Sequence, residues 1–348
     1  MSYKNIYILG VGGSGMSSIA KYLKQKGDNV IGYDQRKSYV TNLLNQDGIK
    51  VVHTLDEITY KPESLYIYSS AIPIESDRFE DFHDKENVLS RPEYLKNLSE
   101  NHKIIGITGT HGKTSTTALL SHIFHFNNVN VSYLYGGITT FNGIGGHYGD
   151  PDQPLILETD EAFNTFEKIK ISDLLVLNVD SDHLDYFKNL DNYKDAFYKV
   201  MKNVTDNLVI NNDDLNIKSM KELKNPVSYG KDISADFKVQ SPGTFIYENN
   251  KYEIKSDIIG DHFKSNMLGA IILALLNGIE IKDSLNAIES FAGVKRRIEL
   301  IGISKGVLIY DDYGHHPTEM EATITSLKQQ TDSCLLYTSD AADDTSRV

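Results

Sequence analysis

The stretch Gly109-Thr110-His111-Gly112-Lys113-Thr114-Ser115 sets a lysine and two hydroxyls directly behind a glycine-bearing turn. Upstream, Ile104, Ile105 and Ile107 are β-branched and bounded by glycines, the pattern of a short buried strand. Downstream, Ala118, Leu119, Ile123 and Phe126 recur at helical spacing. Strand, turn and helix start together present loop amides and the positive end of a helix dipole to an anion. Lys113 is then placed for terminal phosphates and the Thr114 hydroxyl for a magnesium ion. The loop is tighter than the usual nucleotide loop, which wants a glycine where Ile107 stands. The residues alone also permit a plain strand-to-helix turn with an exposed lysine.

Further chemistry gathers where other apolar runs end. Leu155-Ile156-Leu157-Glu158 is a strand closing on an acid, followed by Asp160 and Glu161, and Leu174 to Val179 is a strand followed by Asp180, Asp182 and His183. Magnesium prefers oxygen donors and keeps phosphate oxygens and waters in its shell. Glu158 is therefore a candidate metal carboxylate beside Thr114, and His183, a softer donor, stands at a matching strand end. Asp160 and Glu161 are as readily solvated loop acids. A third strand, Val307 to Tyr310, leads into Asp311, His315, His316, Pro317 and Glu319. Pro317 suits the first turn of a helix and Glu319 its positive end. Arg296 and Arg297 precede that strand, either as a solvated face or as phosphate ligands.

The elements that must hold these groups form an α/β chain. Asn5 to Leu9 is a strand running into Gly10-Val11-Gly12-Gly13-Ser14-Gly15-Met16, a GxGxxG turn before a helix; the next strand, Val30 to Tyr33, ends at Asp34. This is half of a dinucleotide-type fold, with an acid placed for a ribose hydroxyl. It fits NAD, another nucleotide diphosphate, or close helix–strand packing. Tyr66 to Ser70 is a strand whose Ser69 and Ser70 stand at the C-terminal edge, where open sheets bind ligands. A short helix and polar residues in 91–102 mark a boundary. Asn192 to Lys202 is an amphipathic helix, Asp236 to Lys255 reads as small antiparallel hairpins, and a helix from about Lys264 to Asn277 carries Asn266 near its start. Asp283 to Phe291 is one more helix, and Gly293 closes the unit.

With 348 residues, two or three domains with full cores are expected. A formal net charge of −13 argues against a nucleic-acid partner but leaves room for nucleotides, which need only a local positive loop. The single cysteine, Cys334, forbids an intrachain disulfide and fits a reducing compartment. No leader and no membrane-length apolar run is read, so a cytoplasmic protein is expected. Oligomeric state is not legible.

GVGGSGM, GITGTHGKTSTT, DHLD, GVKRR and YDDYGHHPTE, in this order, resemble the Mur ligases over about residues 4–330. The tight loop is that family's loop. The resemblance implies three domains: a Rossmann-like UDP-sugar domain at 1–102, a P-loop-type ATPase domain with a mostly parallel sheet at 103–293, and the start of a Rossmann-like ligase domain at 294–337. It implies ATP-dependent joining of L-alanine to the lactyl carboxylate of UDP-N-acetylmuramate through an acyl phosphate. Gly10, Gly12, Gly13, Ser14, Gly15, Met16, Asp34, Ser69, Ser70 and His316 would then serve the sugar nucleotide. Gly109 to Ser115, Asn266 and Arg296 would serve ATP, and Thr114, Glu158 and His183 would hold Mg2+. Lys113, Glu158, His183, Arg297, Asp311 and His315 would line the reacting groups.

Two departures stand out. The family's His-Asn at the adenine-side helix is His262-Phe263 here, and Phe163 replaces a usual acid. Cys334 to Tyr337 fits a further strand, after which 338–348 is polar, aperiodic and extraneous-looking, so the third domain is expected to be incomplete and short of a normal core. The rivals are a ligase adding a preformed tripeptide to the same sugar nucleotide, an NAD-dependent oxidoreductase built on GVGGSG, and an inactive nucleotide-binding fragment.

Overall fold

The computed structural model describes residues 3–182, 184–220 and 223–328. His183, the expected Cys334–Tyr337 strand and the 338–348 tail lie outside the described residues.

The first unit is a five-stranded, wholly parallel sheet in the order Lys50–Val52, Val30–Tyr33, Asn5–Leu9, Ser64–Tyr68, Val88–Ser90. Chain order reverses between Asn5–Leu9 and Ser64–Tyr68, so the loops leaving those two strands flank a crevice. Ser69 and Ser70 follow the shorter Ser64–Tyr68 strand instead of belonging to it, because Ser69 N–H turns back to the Leu9 carbonyl at 3.0 Å. The turn after Leu9 needs glycine at Gly10, whose φ is 80°. The helix that follows, Ser14–Gln25, buries Met16, Ile19, Ala20 and Leu23.

The second unit is a ten-stranded sheet. Its centre is parallel, in the order Asn207–Asn211, Asp173–Val176, Ile104–Thr108, Leu155–Glu158, Ser132–Thr139, with antiparallel strands at both edges. The expected strand to Val179 stops at Val176, and Leu177 N–H bonds the Thr108 carbonyl as the chain bends into the site. Parallel strands buried on both faces read as apolar runs, and Ile104, Ile105, Ile107, Leu174, Leu175 and Val176 are all fully buried. The helices Lys113–Phe126 and Asp261–Leu276 cover one face. The latter starts at Asp261, earlier than its periodicity predicts, and buries an apolar run from Met267 to Ala274 nearly all round.

The third unit comprises the antiparallel pair Glu299–Ser304 and Val307–Asp311 and the helix Pro317–Lys328. Its strands expose apolar side chains, among them Ile303 at 66% and Val307 at 62%, as expected of a sheet too small to bury a face.

The first two units are fastened by the glycine-rich hairpin Ser132–Thr139 and Gly143–His147, which packs under the Ser14–Gln25 helix. Lys21, 8% exposed, donates to the backbone carbonyls of Asn142 and Ile144. A Cβ on Gly146 would overlap the Ser18 carbonyl. Gly146→Ala should therefore destabilise the protein by about 1–3 kcal/mol through overpacking. Differential scanning fluorimetry should show a melting temperature several degrees lower; an unchanged melt would mean the helix is not seated on the hairpin.

Candidate active site

Lys113 opens its helix with Gly112 as N-cap in the left-handed region (φ 84°). Gly109 also has positive φ, at 142°, and both glycines are approached closely: Asn266 packs on Gly112, and Leu177 and Asn178 on Gly109. A side chain at either position would meet strain and overlap, which explains the glycines. The Lys113 ammonium donates to the carbonyls of Gly109 (2.7 Å) and Thr110 (3.1 Å) and to Glu161 Oε1 (2.9 Å). Burial works against its charge, but Glu161, Asp160 and Glu158 outweigh it and hold the lysine above its ordinary value, so it stays an ammonium.

Glu161 is fully buried and ion-paired to Lys113, so it is no solvated loop acid. Its offset of three from Glu158, across a turn, was the available signal. Tyr193, from the Leu190–Lys202 helix, backs the same pocket through Thr110 Oγ1 (3.0 Å).

The sheet order sets a strand end on each side of the loop. On one side, Thr114 Oγ1 donates to Glu158 Oε1 at 2.6 Å, while Glu158 Oε2 accepts from Gly136 N–H at 2.6 Å. A hydroxyl and a carboxylate in contact beside a phosphate-seeking ammonium form a hard oxygen donor set that fits Mg2+. On the other side, Asn178 grips His111 twice, accepting from its N–H at 2.8 Å and donating to its carbonyl at 3.0 Å. Neither Asn178 nor Gly136 is marked out by any motif.

The third unit docks on this edge through polar groups. The His111 ring lies between Glu319 Oε1 (3.2 Å) and Asp180 Oδ2 (3.4 Å). His316 faces His111 with ring centroids 4.8 Å apart and bonds the Ser181 carbonyl at 3.2 Å, so it stands at the phosphate loop of the second unit. Thr318 Oγ1 donates to Asp180 at 2.8 Å, and Arg297 approaches Glu319 at 3.9 Å. Although burial pushes its carboxyl up, Glu319 is held down to about 2 by its bond to His111, the nearby Arg297 and the His315 N–H.

The two arginines share the Tyr313 ring, Arg297 at 5.5 Å, but have different further partners. Arg297 lines a mostly apolar cavity with Ser115, Thr116, Phe263, Asn266 and Phe291. Arg296, with φ 61°, instead pairs with Asp311 at 3.4 Å and lies over the Tyr313 ring at 4.9 Å, so both Arg296 and Asp311 are engaged at an exposed rim. His315 is exposed and held by Glu319.

In the first unit, Asp34 accepts from Gly12 N–H at 2.8 Å and from Arg36 N–H at 3.0 Å. It braces the glycine turn with both oxygens, a backbone role that its sequence position did not suggest. Gly13 is the N-cap of the Ser14–Gln25 helix without a side-chain cap, and Ser69 abuts Gly10. Ser14 reaches across to the second unit: a Cβ on Gly136 would lie 3.1 Å from Ser14 Oγ and 3.5 Å from Glu158 Oε2. The glycine turn and the candidate metal carboxylate are thus separated by one glycine.

Three family models match the sequence: the Mur ligase family catalytic domain over residues 5–103, the Mur ligase middle domain over 107–274 and the Mur ligase glutamate ligase domain over 296–343. The UDP-N-acetylmuramate–L-alanine ligase of Clostridium botulinum (strain Langeland) is 34% identical, with 94% of this chain aligned to 74% of that protein. The Cytophaga hutchinsonii protein of the same name is 31% identical over 93% of this chain and 74% of its own. Among solved structures, the UDP-N-acetylmuramate-alanine ligase of Thermotoga maritima superposes with a TM-score of 0.81 at 25% identity, covering 94% of this chain and 78% of that one. A murein peptide ligase from Psychrobacter arcticus shares the fold, with a TM-score of 0.74 at 23% identity over 94% of this chain and 76% of its own.

The depressed Glu319 carboxyl makes docking of the third unit acid-sensitive. Its stabilisation is complete above the ordinary value of 4.5 and is lost as pH falls towards about 2. Amide protection factors in Pro317–Lys328, which divide out the pH dependence of intrinsic exchange, should fall about tenfold or more over that window. Glu319→Gln should exchange faster at neutral pH and respond less to acid. Equal acid responses in the two proteins would remove Glu319 from the docking contact.

Proposed function

The chain belongs to the Mur ligase family, and from that premise we propose that it joins L-alanine to the lactyl carboxylate of UDP-N-acetylmuramate in peptidoglycan synthesis, splitting ATP to ADP and phosphate. The observation that carries this is the junction of a glycine turn, an ammonium-bearing phosphate loop and an oxygen donor pair around Gly136. A pyrophosphate on the glycine turn leaves the sugar's lactyl arm directed towards Glu158, where a terminal phosphate held by Lys113 also belongs.

A free carboxylate is a poor acylating agent. Phosphoryl transfer from ATP makes it an acyl phosphate, the alanine amine attacks its carbonyl carbon, and phosphate leaves from the tetrahedral adduct. Such transfer is driven by positioning and by neutralising charge. Lys113 exchanges its bond to Glu161 for phosphate oxygens while the loop amides bind the rest of the triphosphate. Thr114 and Glu158 would hold Mg2+, which would supply neutralising charge for the transferring group. Asn266 and Phe263 meet the purine and ribose in the cavity that Arg297 closes from the third unit. His111 and His316 couple that closure to the loop. The phosphate-accepting sugar nucleotide and the ATP requirement fit a cytoplasmic step, and no helix among the described residues is long and apolar enough to cross a membrane.

Phosphate release should require ATP, UDP-N-acetylmuramate and L-alanine together, and a preformed tripeptide should not replace alanine. Lys113→Met, which keeps the aliphatic stem, should lower that rate by about 10³-fold or more. Because it strands Glu161 in the interior, the double variant Lys113→Met/Glu161→Gln should restore thermal stability without restoring turnover. Near-normal ligation in either variant, with circular dichroism showing a folded protein, would refute the role of Lys113.

A further inference from the structure

Arg91 has no place in the chemistry described so far. It is the first residue of the Arg91–Ser99 helix, whose start is fixed by a capping box in which Ser90 N–H donates to Glu93 at 2.7 Å and Glu93 N–H donates to Ser90 at 3.4 Å. Pro92 stiffens the same turn. The backbone is therefore set, and the side chain lies flat against Gly15: a Cβ there would fall 2.8 Å from Arg91 Nε, 3.0 Å from its Cζ and 3.0 Å from its Nη2. Nε is buried without a hydrogen-bond partner, and among the described residues no carboxylate pairs with the guanidinium. That is an unusual condition for a permanent cation with five donors and no acceptor. Its surroundings explain it. Arg91 lines one cavity with Gly15 and Ser18 of the first unit and with Gly136, Leu157 and Glu158 of the second. The cavity lies between the glycine turn and the candidate metal carboxylate.

We infer that Arg91 is a substrate-binding residue that receives an oxyanion of the sugar nucleotide in this cleft. A planar guanidinium fits carboxylate and phosphate oxygens bidentately, and both occur on the ligand, as the lactyl carboxylate and the pyrophosphate. Gly15 is small because the guanidinium occupies its Cβ space. Glu158, the acid of the same cavity, is engaged by Thr114 and Gly136 and not paired with Arg91. This assignment rests on the sugar-nucleotide function proposed above.

The test is isothermal titration calorimetry of the full chain with UDP-N-acetylmuramate, with UDP-N-acetylglucosamine, which lacks the lactyl carboxylate, and with ADP. Arg91→Met should weaken UDP-N-acetylmuramate binding about tenfold to a hundredfold, the loss expected for a charge-assisted pair. ADP affinity and thermal stability should stay unchanged, and Arg91→Lys should recover part of the loss. A parallel loss for UDP-N-acetylglucosamine assigns Arg91 to the pyrophosphate, and a loss confined to UDP-N-acetylmuramate assigns it to the lactyl carboxylate. If the unaltered chain binds both sugar nucleotides and Arg91→Met binds them equally well, the inference is overturned while the ligase function stands. If the unaltered chain binds neither, the function falls and the inference with it.

Discussion

A buried ammonium must be surrounded by oxygen, and the second unit is built around meeting that demand for Lys113. Desolvating a cation is expensive unless it is paired and hydrogen-bonded. Here two loop carbonyls and Glu161 supply the bonds, while Asp160 and Glu158 add field. The arrangement is exchangeable by construction, since each partner offers oxygen and so does a phosphate. A triphosphate can take over the ammonium without leaving the lysine uncompensated at any stage. Glu161 would then lie beside phosphate with its own countercharge shared, so a divalent cation held by Thr114 and Glu158, as proposed above, would have an electrostatic as well as a geometric purpose. Glu161 also sets the lysine's direction: without it, a four-carbon stem would be free to swing out of the loop.

The two joints of the molecule are made of different materials. Between the first and second units, backbone meets backbone: Gly146 lies under the Ser18 carbonyl, and Lys21, nearly buried, ties the Ser14–Gln25 helix to the hairpin carbonyls. Contacts of that kind tolerate little displacement, because close-packed interiors do not deform gradually. Between the second and third units, charged and hydroxyl side chains meet: His111, Asp180, His316, Thr318, Glu319 and Arg297. Water can replace each of these bonds at modest net cost. The glycine turn and Glu158 are therefore held at a fixed separation by packed backbone, whereas the Pro317–Lys328 helix meets the phosphate loop through exchangeable side-chain bonds.

Much of this was legible from residue types. Strand ends carrying Glu158, Asp180 and Asp311, the loop lysine and the two glycine turns followed from apolar runs that stop abruptly at polar residues. The illegible parts share a cause, which is that their role depends on a partner distant in the chain. The hairpin within 132–147 is not legible, because its glycine-rich sequence carries no strand pattern; Gly136 and Gly146 are small because Ser14 and Ser18 of the first unit's helix lie on them. Glu161 looks like an exposed acid until Lys113 is seen beside it. Arg296 and Arg297 are indistinguishable in a basic run, and only their partners in space, Asp311 for the one and Glu319 for the other, tell them apart. The start of the helix at Asp261 likewise owes more to Gly260, at positive φ and packed against Ser326 of the third unit, than to local periodicity.

The glycine turn of the first unit shows how little a phosphate-binding motif says about the reaction. Its strand order and its acid after the second strand are those of a dinucleotide site, and an oxidoreductase needs nothing more from that part of the chain. Asp34 accepts from the backbone N–H groups of Gly12 and Arg36, so it braces the turn whatever else it binds. What separates the two chemistries is the wall facing the turn. Opposite the turn, where a nicotinamide would require a flat and largely apolar slot, stand Gly136 and Glu158, with the phosphate loop behind them. That wall is polar and itself carries the Glu158 carboxylate, so what could draw an anion there is the Arg91 guanidinium in the same cavity and the Lys113 ammonium on the neighbouring loop.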